Sequence, residues 1–292
     1  MRVTTTMAAL LSAAALTLTA CGGGDTTAET KAETVTEPEV KMVTLDDVLA
    51  HPRRAEEAKR DQFRNPKETL EFFEVGPGKR VGEIWPGWYT NATAPYLAAN
   101  DGQYVAVLYP MGVNERLDER IEGYKKKYSD ADVYGEIEYA EFLKDSGPIL
   151  SEGQEPLDVL VTYRNVHNWM GGDYAQDAFD RFYEALKPGG ILGVVEHRLP
   201  ETAEQNPKGR SGYVQESYMK DLAAKAGFEF VASSEVNANP RDTADHPFGV
   251  WTLQPRSRTP EEGSEEAKDF NAEAYFNIGE SDRATLKFRK PE

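Results

Sequence analysis

Two apolar runs separated by an amphipathic stretch do most to constrain this chain. Leu157-Asp-Val-Leu-Val-Thr-Tyr163 and Ile191-Leu-Gly-Val-Val-Glu196 are short, β-branched and almost continuously apolar. Such strands belong to a parallel sheet covered on both faces, whereas a sheet with one wet face would alternate. Between them, Tyr174 to Leu186 carries Phe179, Phe182, Tyr183 and Leu186 at helical spacing, closed by Lys187-Pro-Gly-Gly190. Strand, helix, parallel strand is a crossover unit, and repetition of it builds a doubly wound α/β sheet. The rest of the chain repeats it. Strands are predicted at 80–85, 104–109, 133–139 and 228–233, with helices over 88–99, 114–127 and 215–226. Arg283-Ala-Thr-Leu-Lys-Phe-Arg289 alternates as a last, antiparallel strand should. Ahead of the sheet, 42–64 reads as charged helix and 66–73 as a second short helix opened by Pro66. The segment 235–282, with the acidic run Glu261, Glu262, Glu265, Glu266 and Asp269, reads as a solvated loop. At 292 residues and 39% hydrophobic, the chain can bury one principal core.

The amino terminus follows a different logic. Arg2, an apolar run from Met7 to Leu18 and Leu18-Thr-Ala-Cys21 have the order of a secretory signal peptide, with an apolar core too short to span a bilayer. Leu-Thr-Ala-Cys resembles the lipobox of bacterial lipoproteins, which implies cleavage before Cys21 and lipidation of that cysteine. The expected organisation is a signal peptide over 1–20, a lipidated Cys21 and flexible tether over 21–41, and a domain over 42–292. The tether, rich in Gly, Thr and Glu with few apolar side chains, cannot offset its ordering entropy by burial. Cleavage leaves 272 residues and removes Arg2, taking the formal charge from −17 to −18. That charge, with no basic run along the chain, excludes nucleic acid as a partner. The expected location is extracytoplasmic, anchored in the membrane by lipid, with Gly22 after the cysteine implying an outer membrane facing the periplasm.

Several segments carry a second resemblance. Val81-Gly-Glu-Ile-Trp-Pro-Gly87 after the first strand, Leu186-Lys-Pro-Gly-Gly190 before the fifth and Ala226-Gly-Phe228 before the sixth resemble class I S-adenosylmethionine-dependent methyltransferases. Arg164-Asn-Val-His-Asn-Trp169, Glu196-His-Arg198 and Glu235-Val-Asn-Ala-Asn-Pro-Arg-Asp242 look like a bacterial group of predicted, often secreted methyltransferases. The resemblance spans about Asn65 to Lys290. It implies a Rossmann-like seven-stranded methyltransferase sheet with the last strand antiparallel, and S-adenosylmethionine as cofactor.

In such a sheet ligands bind beyond the carboxyl ends of the strands, at the switch point. The resemblance implies Glu83, Gly87, Trp88, Tyr89 and Asn165 as cofactor-binding, and two departures bear on that. The first loop keeps only Gly87, which leaves less room for a methionine moiety. The second strand ends Val107-Leu108-Tyr109-Pro110, without the acid that would accept the ribose hydroxyls. Glu83 reads equally well as a strand-end carboxylate near a helix amino terminus. In the loop after Tyr163, His167 is the candidate general base, Asn168 a substrate-orienting catalytic residue and Trp169 a pocket wall. The competing reading has the same residues cap the helix from Asp173 and fill a loop core, and the convergence of several polar residues there favours the functional one. Glu196, His197, Arg198, Asn237, Asn239 and Asp242 complete the substrate-binding candidates, with turn-forming side chains as the competing reading for the Asn and Asp residues. No dense metal-ligand spacing occurs, so no metal is expected.

Two functions follow. One is S-adenosylmethionine-dependent methyl transfer to a small-molecule or envelope substrate. The other is a catalytically inactive or altered-ligand binding module of the envelope that keeps the fold, motivated by the two departures and by a cofactor made in the cytoplasm.

Overall fold

The computed structural model describes residues 42–292. The expected signal peptide, lipidated Cys21 and tether lie outside the described residues. Seven strands form one sheet: β1 (Arg80–Ile84), β2 (Gln103–Leu108), β3 (Glu138–Glu141), β4 (Leu157–Tyr163), β5 (Leu186–His197), β6 (Glu229–Ser234) and β7 (Arg283–Arg289). Their order is β3-β2-β1-β4-β5-β7-β6. The first five run parallel, and β7 lies antiparallel between β5 and β6. This is the doubly wound methyltransferase sheet expected from the sequence.

Strand periodicity explains how one sheet serves two cores. On β2, Val105 and Val107 face one side, with Leu160 of β4 and the helices Ala175–Ala185 and Glu216–Ala226. Tyr104 and Ala106 face the other, with Val159 and Val161 of β4 and the helices Pro66–Phe72 and Thr90–Ala98. Close approach on that second face requires Gly193, where a Cβ would stand 2.5 Å from the Phe73 ring.

Three expectations change. The charged helix expected over 42–64 is four short pieces, Leu45–Leu49, Pro52–Arg54, Glu57–Arg60 and Asp61–Arg64, because Pro52 holds His51 in an extended conformation and stops the first of them. Strand three was expected at 133–139 and begins at Glu138. Asp130 caps the helix Ala131–Tyr134 by accepting from Asp132 N–H, and Gly135 ends it at φ +69°. Local capping thus removes Val133 and Tyr134 from the strand. The segment 235–282 is not a plain loop. It contains an extended stretch, Pro247–Val250, and helices Glu265–Lys268 and Ala272–Ile278. The acidic run remains largely exposed, but Ser264 caps a short helix whose first turn carries Glu265 and Glu266, where a helix amino terminus favours negative charge.

The order of strands reverses between β1 and β4, which leaves a crevice beyond their carboxyl ends. The N-terminal helical segment packs over the same end. Its Pro52–Arg54, Glu57–Arg60 and Asp61–Arg64 turns send Arg60 and Arg64 to Glu280, immediately before β7.

Candidate functional site

A cleft of about 390 Å³ opens at the switch point. One wall comes from the loop after β1, another from the loop after β4, and the third from Val250 to Arg256. Its floor includes Tyr89 stacked on Tyr163, ring centroids 3.8 Å apart and 7° from parallel.

The β1 loop is shaped by Glu83. This buried carboxylate accepts the Gly87 N–H at 3.2 Å and the Tyr104 hydroxyl at 2.7 Å. Burial pushes it up to about 7, against the pull of those two bonds and of Arg164. Next along the chain, Trp85 adopts φ +49°, a left-handed conformation that bulky residues rarely hold. The surroundings fix it. Its indole Nε1–H donates to the Phe142 carbonyl at 2.9 Å, and its ring stacks on Tyr109 at 4.3 Å and 17°. Trp169 and Phe142 approach its other sides at 5.9 Å. Trp85 therefore fills the β2 side of the crevice. Trp88 turns the opposite way, donating to the Glu57 carbonyl with Arg64 4.9 Å from its ring centroid. Trp85→Ala should cost about 2 kcal/mol, less than a fully buried tryptophan because the ring is partly exposed. Urea denaturation checks this, and a loss near zero would contradict the packing role.

The β4 loop supplies the polar wall. Asn165 ties β4 to β1 by donating to the Ile84 carbonyl at 3.2 Å and to Thr162 Oγ1 at 3.1 Å. His167 starts the turn of helix Val166–Gly171, and both its backbone N–H and its Nδ1 lie 3.2 Å from the Glu196 carboxylate. Glu196 is fully buried at the end of β5. A carboxylate partner at Nδ1 holds the proton there and presents the Nε2 lone pair, the arrangement a general base requires. His197 follows, bonded through Nδ1 to Ser281 Oγ at 2.5 Å, and burial pushes it well below its ordinary range. Asn168 is exposed at the rim.

Of the predicted site residues, Glu83, Gly87, Trp88, Tyr89, Asn165, His167, Asn168 and His197 line the cleft. Glu196 stands behind His167. The others lie elsewhere. Trp169 is wholly buried among Phe142, Phe179 and Phe182 rather than walling the pocket. Arg198 points away to Asp282, Glu235 and Glu216. Asn237 donates to Thr69 and Thr285 hydroxyls, and Asn239 to the Ile278 and Glu280 carbonyls. Asp242 accepts from Tyr213, His246 and the Asp282 N–H. Asn239 and Asp242 brace the 280–282 segment, and Asn237 ties the helix Pro66–Phe72 to β7.

Sequence reasoning passed over Arg164, Arg283 and the 250–256 wall. Arg164 was within reach, since it is the first residue beyond β4. Arg283 looked like the start of an ordinary alternating strand, and Trp251 to Arg256 carried no motif.

No family model and no curated protein matches the chain. Solved structures similar to it include the cyclase SpnF, at 17% identity and TM-score 0.48 over 78% of this chain and 80% of that one. A SAM dependent methyltransferase from Aquifex aeolicus is 15% identical at TM-score 0.45, over 67% of this chain and 94% of that one. The N-methyltransferase NodS from Bradyrhizobium japonicum WM9 is 15% identical at TM-score 0.45, over 78% and 96%. At these values the likeness assigns neither ligand nor activity.

Proposed function

We propose that this methyltransferase-fold protein is an altered-ligand binding module, which takes a small molecule other than S-adenosylmethionine and works at the cell envelope on the lipid anchor at Cys21. Trp85 carries this reading. The family resemblance calls for glycine backbone beside the cofactor and an acid after β2, and here an indole stacked on Tyr109 fills that side. The residues present do not fit the nucleoside. The cleft is also lined by Arg164, His167 and His197, which a different ligand could engage.

S-adenosylmethionine-dependent methyl transfer is the second reading, favoured by the Glu83 carboxylate that still organises the Gly87 turn. Native mass spectrometry of protein isolated from the envelope separates the two. The first reading expects no adduct at the mass of S-adenosylmethionine or S-adenosylhomocysteine, and an adduct at either mass would overturn it.

A further inference from the structure

We infer that the cleft binds a small molecule through an oxyanion, a carboxylate or phosphate group, held by Arg164 and Arg283 beside His167. This deepens the altered-ligand reading and rests on it. The first support is charge. The cleft is lined by Arg120, Arg164, Arg256 and Arg283, with Glu83 as the one carboxylate among the described residues, in a chain of net charge −17. The local sign is reversed, and a field of that sign concentrates anions.

The second support is an imbalance of buried charge behind the cleft. Arg60 Nε donates to Glu280 at 2.6 Å, Arg64 Nε at 3.1 Å, and Arg283 pairs with the same carboxylate. Three guanidiniums thus share one acid, with Arg164 beside them. Surplus positive charge away from water is costly, and a bound anion offsets it. The electrostatics agree: burial and then Arg283 push Arg164 down to about 10.

The third support is unused donors. Arg283 is 2% exposed and lines the cleft, and its Nε is buried with no partner while its other nitrogens hold Phe63 O and Glu280. No side-chain hydrogen bond engages Arg164 or His167 Nε2 among the described residues. Guanidinium forks suit planar or tetrahedral oxyanions. His167 Nε2 then faces a neighbouring hydroxyl or amine of the ligand. A cationic ligand would meet repulsion on this wall.

Isothermal titration of the full-length protein in detergent with orthophosphate and with malonate, at ionic strength fixed by sodium chloride, tests the site. Saturable one-to-one binding of at least one anion is expected, and which one binds identifies a phosphate or a carboxylate ligand. Arg164→Gln should weaken it at least tenfold and Arg164→Lys by less. Arg164 makes no side-chain hydrogen bond, so both variants should keep the wild-type circular dichroism. Absence of saturation with both anions, or wild-type affinity in Arg164→Gln, overturns the inference. S-adenosylmethionine titrated in the same series reports separately on the altered-ligand reading.

Discussion

Replacing Glu280 with glutamine should destabilise the protein by about 3–5 kcal/mol, the usual cost of removing one partner from a buried ion pair. The change keeps size and shape but leaves Arg60, Arg64 and Arg283 without the carboxylate on which they converge. Glu280 is 2% exposed, so water cannot substitute for it. Although burial opposes ionisation, Arg283, Arg64 and Arg60 hold this carboxyl down to about 2 from an ordinary 4.5. A depressed acid stabilises the fold above its unfolded value, and that contribution is lost as pH falls from about 4.5 through about 2. The variant should therefore lose much of the acid limb of the stability profile as well as stability at neutral pH. Urea midpoints measured from pH 2 to 7 check both, and a neutral-pH loss below about 1 kcal/mol would contradict the role given to Glu280.

Glu83 should produce the opposite dependence. Its folded value near 7 lies above the ordinary 4.5, so the native state holds the proton more tightly than the unfolded chain. The stabilisation is complete below about pH 4.5 and is lost as pH rises through about 7, amounting to about 3 kcal/mol at 1.36 kcal/mol per pKa unit. Glu83→Gln keeps a neutral hydrogen-bonding group and removes the titration. Relative to the wild type, it should gain about 3 kcal/mol between pH 4.5 and 8. His197, depressed by burial, acts in the other direction, gaining stability as pH rises, so the difference between the two proteins is the informative quantity. A constant difference across that range would show that Glu83 is ionised throughout.

The sheet was legible because its information is local. Val105, Val107, Leu160 and Val161 announce strands buried on both faces, and 157–163 and 283–289 have the predicted bounds. Strand three was not, because capping by Asp130 outweighs the β-branched Val133. The site was half legible. Residues at strand ends reached the cleft because topology sends them there, as with Glu83, Asn165, His167 and His197. Alternation also sorted β5, turning Glu196 inward to His167 and His197 to the cleft. What escaped depends on contacts far apart in sequence. Arg60 and Arg64 meet Glu280 across more than two hundred residues, and no pattern in either segment names the other. The polar run Asn237, Asn239 and Asp242 resembled a recognition loop because bracing a backbone segment and recognising a ligand use the same amides and carboxylates.

The altered-ligand reading and the anion site meet at one question, whether the crevice beside Glu83 admits the nucleoside. Isothermal titration of the full-length protein with S-adenosylmethionine at millimolar concentration, followed in parallel by tryptophan fluorescence, answers it directly. With Trp85 seated on Tyr109, no saturable heat and no fluorescence change are expected. Saturable one-to-one binding that displaces the Trp85 signal, and loses that change in Trp85→Phe, would contradict the account.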